Sequence, residues 1–327
     1  MGAGQRGAQV RWWRLALLPA LAGVAVLALV AAACEPTTPT TPTTTTTPLR
    51  CTADRSTTTT VAYASRPGVD PNLLSLDLSV PARDARCGPA PVVVYVHGGG
   101  FTSGDKANST SDKRRLFTAQ GWAFASVNYR LSTPPPPGQP PVRHPDHVSD
   151  VAAAVAWIRS NAAANRIDPS RVLLLGHSSG AFLVSLASTD TSHLTRAGVD
   201  PRHVRCTASL DTEYDVAARI ADGGTAEAMY RNAFGDDPAV WAQGSPITHT
   251  GPGAVRPSFL VVTRGGARRV EQSADFARRL RAGGTPAQLL DAGALDHAGV
   301  NAAVGAPGDQ VVTPPLLALY RSCVAAP

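Results

Sequence analysis

The chain has 327 residues, 43% of them hydrophobic, with 30 Lys and Arg against 24 Asp and Glu and a formal charge of +6. Arg6, Arg11 and Arg14 fall within the first 33 residues, which hold no acid, so 27 basic residues face 24 acidic ones beyond that point, a balance of only +3. Lysine occurs only at Lys106 and Lys113, and no basic cluster is interleaved with aromatics, which argues against a nucleic-acid partner.

In chain order, the first feature is a basic n-region followed by "LALLPALAGVAVLALVAAA", an apolar run that ends in small residues before Cys34. This reads as a secretory signal over residues 1–33. The cysteine after three alanines resembles a bacterial lipoprotein cleavage site, with Ala31 standing where such sites usually carry leucine or another larger aliphatic residue. That resemblance implies lipidation at Cys34 and a membrane tether facing outward, the alternatives being an uncleaved membrane anchor or an ordinary secretory signal. Residues 34–50 continue as "CEPTTPTTPTTTTTPLR", a Thr/Pro tract with too few apolar residues to bury a core, hence an extended spacer. Residues 51–327 are then long enough for one large α/β domain.

Four further cysteines, Cys51, Cys87, Cys206 and Cys323, lie too far apart for a CxxC-type zinc pair. An even number in an exported chain points to two disulfides, with three possible connectivities. Cys51–Cys87 and Cys206–Cys323 is the favoured pairing, because it would pin each terminal segment to the domain. Free buried thiols are the alternative.

The domain alternates strand and helix signals. "APVVVYVHGGG", "WAFASVNYRL", "RVLLLGHS", "VRCTASL", "PSFLVVT" and "AQLLDAG" are short apolar, β-branched runs bounded by turn residues. "HVSDVAAAVAWIRSNAAANRI" has helical spacing and stops at the turn signal "DPSR", "SGAFLVSLAST" can continue as a helix, and "VEQSADFARRLRAGG" is amphipathic and ends at its glycines. The stretch from about 211 to 251 reads as a mostly helical excursion. This alternation predicts an α/β fold: a mostly parallel central sheet covered by helices on both faces, with a small helical lid insertion.

Within that pattern Ser178 sits in "GHSSG", where a buried strand ends and a helix begins. Glycines there permit a sharp turn that lifts the serine above the sheet, and the helix N-terminus offers N–H groups to a developing negative charge. Gly176-His177-Ser178-Ser179-Gly180, preceded by His97-Gly98-Gly99-Gly100-Phe101, resembles the α/β-hydrolase fold. "SVNYRLS", "VAAAVAWIRSNAAANRIDPSRVLLLGHSSGA" and "SPITH" are similar to its esterase branch related to hormone-sensitive lipase, feruloyl-esterase-like enzymes and arylformamidases.

The resemblance implies Ser178 as nucleophile, the backbone N–H groups of Gly99, Gly100 and Ser179 as oxyanion donors, and His297, after the last strand candidate, as general base. His97 and His177 belong to motif backbones, His144 and His147 precede the long helix, and His249 ends the excursion, so none competes well. The acid departs from the pattern: after "FLVVT" the family's aspartate position is occupied by "RGGARRVEQS". Asp211, directly after "CTASL", is the favoured replacement, Glu271 the alternative, and a water or backbone carbonyl the remaining one. Asp296 adjoins His297 and Asp291 ends a strand, which makes both weaker choices.

The expected activity is hydrolysis of carboxylic esters, with small acyl or aryl groups, by double displacement at Ser178. A degenerate hydrolase fold kept as a binding lipoprotein is a second reading, prompted by the missing acid, and an amidase or peptidase on the same machinery is a third. Tyr214, Met229, Tyr230, Phe234 and Trp241 either line the lid side of a substrate pocket or pack the lid onto the domain. No metal cluster, dinucleotide fingerprint or phosphate loop is present in the sequence, so no cofactor is expected; the expected partners are a small-molecule ester and, through Cys34, a membrane.

Overall fold

The apolar runs become strands of one eight-stranded sheet in the computed structural model, which describes residues 51–253 and 257–325. Cys34, the signal segment and the Thr/Pro tract lie outside the described residues. The strands are β1 (Ser56–Ala62), β2 (Ser75–Pro81), β3 (Ala90–Val96), β4 (Ala123–Val127), β5 (Ile167–His177), β6 (Val204–Leu210), β7 (Ser258–Thr263) and β8 (Ala287–Asp291), in the order β1-β2-β4-β3-β5-β6-β7-β8. Pairing is parallel from β4 through β3 to β8, and antiparallel only where β2 meets β1 and β4.

Every residue of β3 and β4 is buried, as expected of parallel strands covered on both faces. The side chains of β3 alternate between two cores: Val92, Val94 and Val96 join one cluster, and Val93 and Tyr95 the other. The sequence reading did not anticipate the two antiparallel strands, although β2, "SLDLSVP", alternates apolar and polar residues and buries Leu76 and Leu78 in the same cluster as Val92. β1 is "STTTTVA", mostly exposed, and holds the sheet edge through threonine's preference for extended backbone.

Ten helices complete the described unit: α1 (Ser111–Ala119), α2 (Asp146–Ser160), α3 (Ser179–Thr189), α4 (Ser192–Arg196), α5 (Val216–Ala221), α6 (Gly224–Phe234), α7 (Pro238–Gly244), α8 (Ala267–Ala282), α9 (His297–Ala303) and α10 (Thr313–Ala325). Residues of α2 and α3 pack in the first core, and Phe117 of α1, Val300 of α9 and Leu316 and Tyr320 of α10 in the second. α2 stops at Ser160, before the "DPSR" turn signal, because Ile167 already pairs with Ala90 and starts β5, with a register shift before Val172.

The lid is the run of α5, α6 and α7 between β6 and β7. Asp215 caps α5 by accepting from Ala218 N at 3.1 Å, and Asp237 caps α7 by accepting from Ala239 N at 2.8 Å, with Pro238 in the first turn. Disulfides join Cys51 to Cys87 and Cys206 to Cys323, the favoured pairing, across 36 and 117 residues of sequence. The second ties α10 to β6, the strand that ends at the site.

Candidate active site

Ser178 stands between β5 and α3 with φ 54° and ψ −125°, a backbone state that L-residues avoid. Two contacts hold it there: Ser178 N donates to Leu210 O, and Phe182 N donates to Ser178 O, both at 3.0 Å. The flanking glycines are required by space. A Cβ on Gly176 would lie 2.3 Å from Gly180 O, and one on Gly180 would lie 2.1 Å from Val96 O. Only hydrogen fits where α3 crosses the strand ends. Ser179 opens α3, so its N–H is one of the helix-start donors without an intrahelical acceptor.

The glycine loop runs beside the elbow. Gly99 and Gly100 adopt φ 129° and 61°, and Gly99 O accepts from Thr102 N and Ser103 N at 3.1 and 3.0 Å. Phe101 anchors the loop among Phe182, Tyr230 and Phe234 in edge-on contacts of 5.6–5.9 Å.

Three consecutive polar residues after β4 brace this loop, and the sequence reading gave them no role. Asn128 Oδ1 accepts from Lys106 N at 2.5 Å, and its amide donates to Asp105 Oδ2 at 2.9 Å. The buried Tyr129 hydroxyl donates to His97 O and lies within hydrogen-bond reach of Ser179 Oγ, each at 3.2 Å, so it bridges glycine loop and elbow. Arg130 forks onto buried Asp150 through Nε and Nη2 at 2.8 Å each and fixes α2. Their signal was the run of Asn, Tyr and Arg directly after five buried strand residues.

Asp211 follows β6 with φ 53° and is fully buried at 0% exposure. Its Oδ2 accepts from His297 Nδ1 at 2.5 Å and from Arg264 Nε at 2.6 Å, and its Oδ1 accepts from Arg269 Nε at 2.8 Å. Burial by itself would raise the Asp211 carboxyl. The hydrogen bond from His297, the charge of Arg269 and the bonds from both arginines outweigh it and hold the group at about 2. The arginines that stand where the family's aspartate is expected therefore reach back to the carboxylate on the preceding strand.

The other carboxylates are elsewhere. Glu271, the alternative acid, sits on α8 with its side chain 68% exposed and bonded to Arg278 at 2.9 Å, so it does not meet His297. Asp296 caps α9, accepting from Gly299 N at 2.6 Å, and thereby fixes the helix whose first residue is His297. His177 donates from Nε2 to His297 O at 2.8 Å; burial, then the neighbouring His297, push its imidazole down to about 4, so it stays neutral. The premise of the binding-module reading, a histidine with no acid, is gone.

Ser178 and His297 line two cavities in common. One, about 320 Å³, is lined on the lid side by Phe101, Met229, Tyr230, Glu213 and the arginines Arg219, Arg264 and Arg269, and His297 borders it. The other, about 340 Å³, is lined by Tyr95, His97, Asn108, His177 and Asn301 with the three glycines. Of the five lid residues considered from sequence, Met229 and Tyr230 border the first cavity. Tyr214 instead stacks on Phe276 at 3.9 Å, Phe234 packs against Phe101 and Phe182, and Trp241 donates to Gly235 O at 2.9 Å.

The BD-FAE family model matches residues 76–228. Esterase LipC of Mycobacterium tuberculosis is 29% identical over 219 residues, covering 61% of this chain and 50% of the relative, and esterase LipQ of the same organism is 29% identical over 188 residues, covering 53% and 41%. The chain thus spans about half the length of the curated relatives it matches. Among solved structures, a truncated carbohydrate esterase from gut microbiota superposes with TM-score 0.67 at 20% identity, covering 84% of this chain and 98% of that one. Esterase B from Lactobacillus Rhamnosis gives 0.66 at 22% identity, covering 85% and 87%. With the strand order above, these likenesses establish the α/β-hydrolase fold.

Proposed function

We propose that the chain is an exported serine carboxylesterase acting on small acyl or aryl esters. The observation that carries this reading is the buried Asp211 carboxylate 2.5 Å from His297 Nδ1, with His297 and Ser178 bordering the same cavity. An ionised Asp211 only accepts, so Nδ1 carries the proton and Nε2 is left to act as base.

His297 takes the Ser178 proton, and Oγ attacks the ester carbonyl carbon. The tetrahedral oxyanion is held by the N–H groups of Gly99, Gly100 and Ser179. Collapse breaks the bond to the alcohol, which leaves with the proton from His297. Water, deprotonated by His297, then attacks the acyl-enzyme and releases the acid and Ser178. Two cavities near 320 and 340 Å³, at the small end for ligand pockets, support short substituents on both sides of the carbonyl. The matched relatives named as esterases support esters over amides.

Labelling with a fluorophosphonate and turnover of a graded panel of 4-nitrophenyl esters test the reading. A single adduct on Ser178, with rates falling beyond short acyl chains, is the expected result; folded protein with no adduct and no turnover overturns it.

Export and anchoring belong to the same proposal. Their support is the basic and apolar leader, Cys34 with the Thr/Pro tract behind it, and two disulfides suited to an oxidising compartment. Mass analysis of the mature N-terminal peptide should find acylated Cys34, and an unmodified cysteine would remove the anchor from the proposal.

A further inference from the structure

We infer that the lid-side cavity receives the carboxylate-bearing half of an anionic ester, and that Arg264 is the residue that reads its charge; this rests on the esterase reading above. The ionisable groups lining the cavity are Asp211, Glu213, Arg219, Tyr230, Arg264, Arg269 and His297. Three guanidiniums against two carboxyls leave the wall positive. Burial pushes the Glu213 carboxyl up, which weakens it further as a counter-charge.

The three arginines differ in what they have left to give. Arg269 is fully engaged: Nε bonds Asp211 Oδ1 at 2.8 Å, Nη1 bonds Glu213 at 2.9 Å, and Nη2 bonds Asp211 O at 3.3 Å. Arg219 pairs with Asp222, while its buried Nε has no hydrogen-bond partner among the described residues, an unsatisfied donor in the cavity wall. Arg264 engages only Nε, with Asp211 Oδ2 at 2.6 Å. Among the described residues neither of its Nη groups is hydrogen-bonded, and its side chain is 26% exposed. Asp211 therefore orients a guanidinium whose two remaining nitrogens match the two oxygens of a carboxylate.

The rest of the wall limits what carries that carboxylate. Phe101, Met229 and Tyr230 are largely apolar surfaces, so a short aliphatic or aromatic spacer fits between the reacting carbonyl and the anion. Among the described residues no Asp, Glu, Lys or Arg lines the other cavity at Ser178. One half of the ester is then anionic and the other neutral.

Matched pairs test this. Mono-4-nitrophenyl adipate against 4-nitrophenyl hexanoate carries the charge on the acyl half, and 4-acetoxybenzoate against its methyl ester carries it on the alcohol half. In at least one pair the charged member should have the higher kcat/KM, by roughly tenfold or more, the scale of a charge-assisted hydrogen bond. The preference should fall toward parity in Arg264→Gln, persist in part in Arg264→Lys, and shrink with added salt. Because Arg264 also holds Asp211, a merely structural role would lower both members of a pair alike and leave their ratio unchanged, and that result overturns the inference. So does a native enzyme that prefers the neutral member of both pairs, with the esterase reading intact. A second measurement needs no turnover: Ser178→Ala protein should bind monomethyl adipate at least about tenfold more tightly than dimethyl adipate in calorimetry, by the same interaction. Equal or undetectable binding of both overturns the charge assignment, whereas a wild type without turnover or fluorophosphonate adduct overturns the esterase reading instead.

Discussion

Around Ser178 the chain relies on near neighbours and on the absence of side chains; around Asp211 it relies on distant residues and on charge. The elbow is five consecutive residues whose glycines let α3 approach so closely that a Cβ at Gly176 would lie 2.3 Å from Gly180 O. The acid corner joins Asp211 to Arg264, Arg269 and His297, which are 53, 58 and 86 residues away in sequence. Steric demands of the first kind leave a motif. Electrostatic ones of the second kind tolerate exchange, since any strand end that delivers a carboxylate to Nδ1 will serve.

Deletions should separate the two regions most sharply. Ser178→Ala should remove turnover by about a millionfold, the scale seen when the nucleophile of a serine protease is deleted, while the fold stays intact. Gly180→Ala should instead yield little folded protein, because its Cβ would meet Val96 O on a central strand at 2.1 Å. Soluble, active Gly180→Ala protein would show that the elbow has slack that the packing denies.

At the acid corner the effect on turnover should be smaller. Asp211→Asn should lower turnover by up to about four orders of magnitude at neutral pH, as the same exchange does in a serine-protease triad. Glu271→Gln, on an exposed pair with Arg278, should leave turnover unchanged. Exchanged outcomes would move the acid to the later strand.

A third comparison concerns the staples. Cys206 lies on β6, the strand leading to Asp211, and its bond to Cys323 closes a loop of 117 residues, against 36 for Cys51–Cys87. Removing a disulfide of this kind costs about 2–5 kcal/mol, and loop entropy makes the longer one worth about 1 kcal/mol more. Urea titration of Cys206→Ala/Cys323→Ala against Cys51→Ala/Cys87→Ala reads the difference. An equal or reversed order would mean that the bond at β6 contributes little beyond the packing already there.

What was legible in the sequence follows the same division. The buried parallel strands, α2, α3, α8 and the elbow all announce themselves through apolar runs and glycines, because burial on both faces allows little else. The edge strand β1 did not, since an exposed Thr-rich edge looks like a loop, and β2 went unassigned although Leu76, Leu78 and Val80 alternate with polar residues in it. Neither did α1 and α10, whose sequences drew no helix assignment. At the site, Asp211 was favoured over Glu271 by its place directly after a strand, but its contact with His297 could not be read locally. What separates them is three-dimensional: one is fully buried against His297, the other mostly exposed on α8. The arginines that displaced the family's aspartate looked like a loss from sequence, and their partner was invisible until β6 and β7 lay side by side. Asn128, Tyr129 and Arg130, quoted within "SVNYRLS" for the resemblance, drew no role for a related reason, because a brace is defined by what it touches.

The smallest expected effect is a pH dependence of stability that again differs between the two regions. His177 in the elbow is pushed down to about 4 from its ordinary 6.5, first by burial, and the buried His147 and half-buried His144 to about 3 and 4, again first by burial. The unfolded chain therefore binds protons on these histidines before the folded one does, so stability should fall as pH drops from 6.5 toward 4. Asp211 acts in a different window: with its carboxyl held at about 2, its contribution is present above the ordinary 3.8 and is lost only as pH falls through about 2. Asp150 and Glu213, whose carboxyls burial pushes up, gain protons in the folded state first and offset part of the histidine effect, which keeps the net slope shallow. Urea midpoints at pH 7, 5.5 and 4.5 should decline, and His177→Asn should make the decline shallower, whereas Asp211→Asn should leave its slope in that window unchanged. A flat midpoint across the three pH values would mean that the histidines are hydrated in the folded state and that the elbow is less tightly buried than its glycines require.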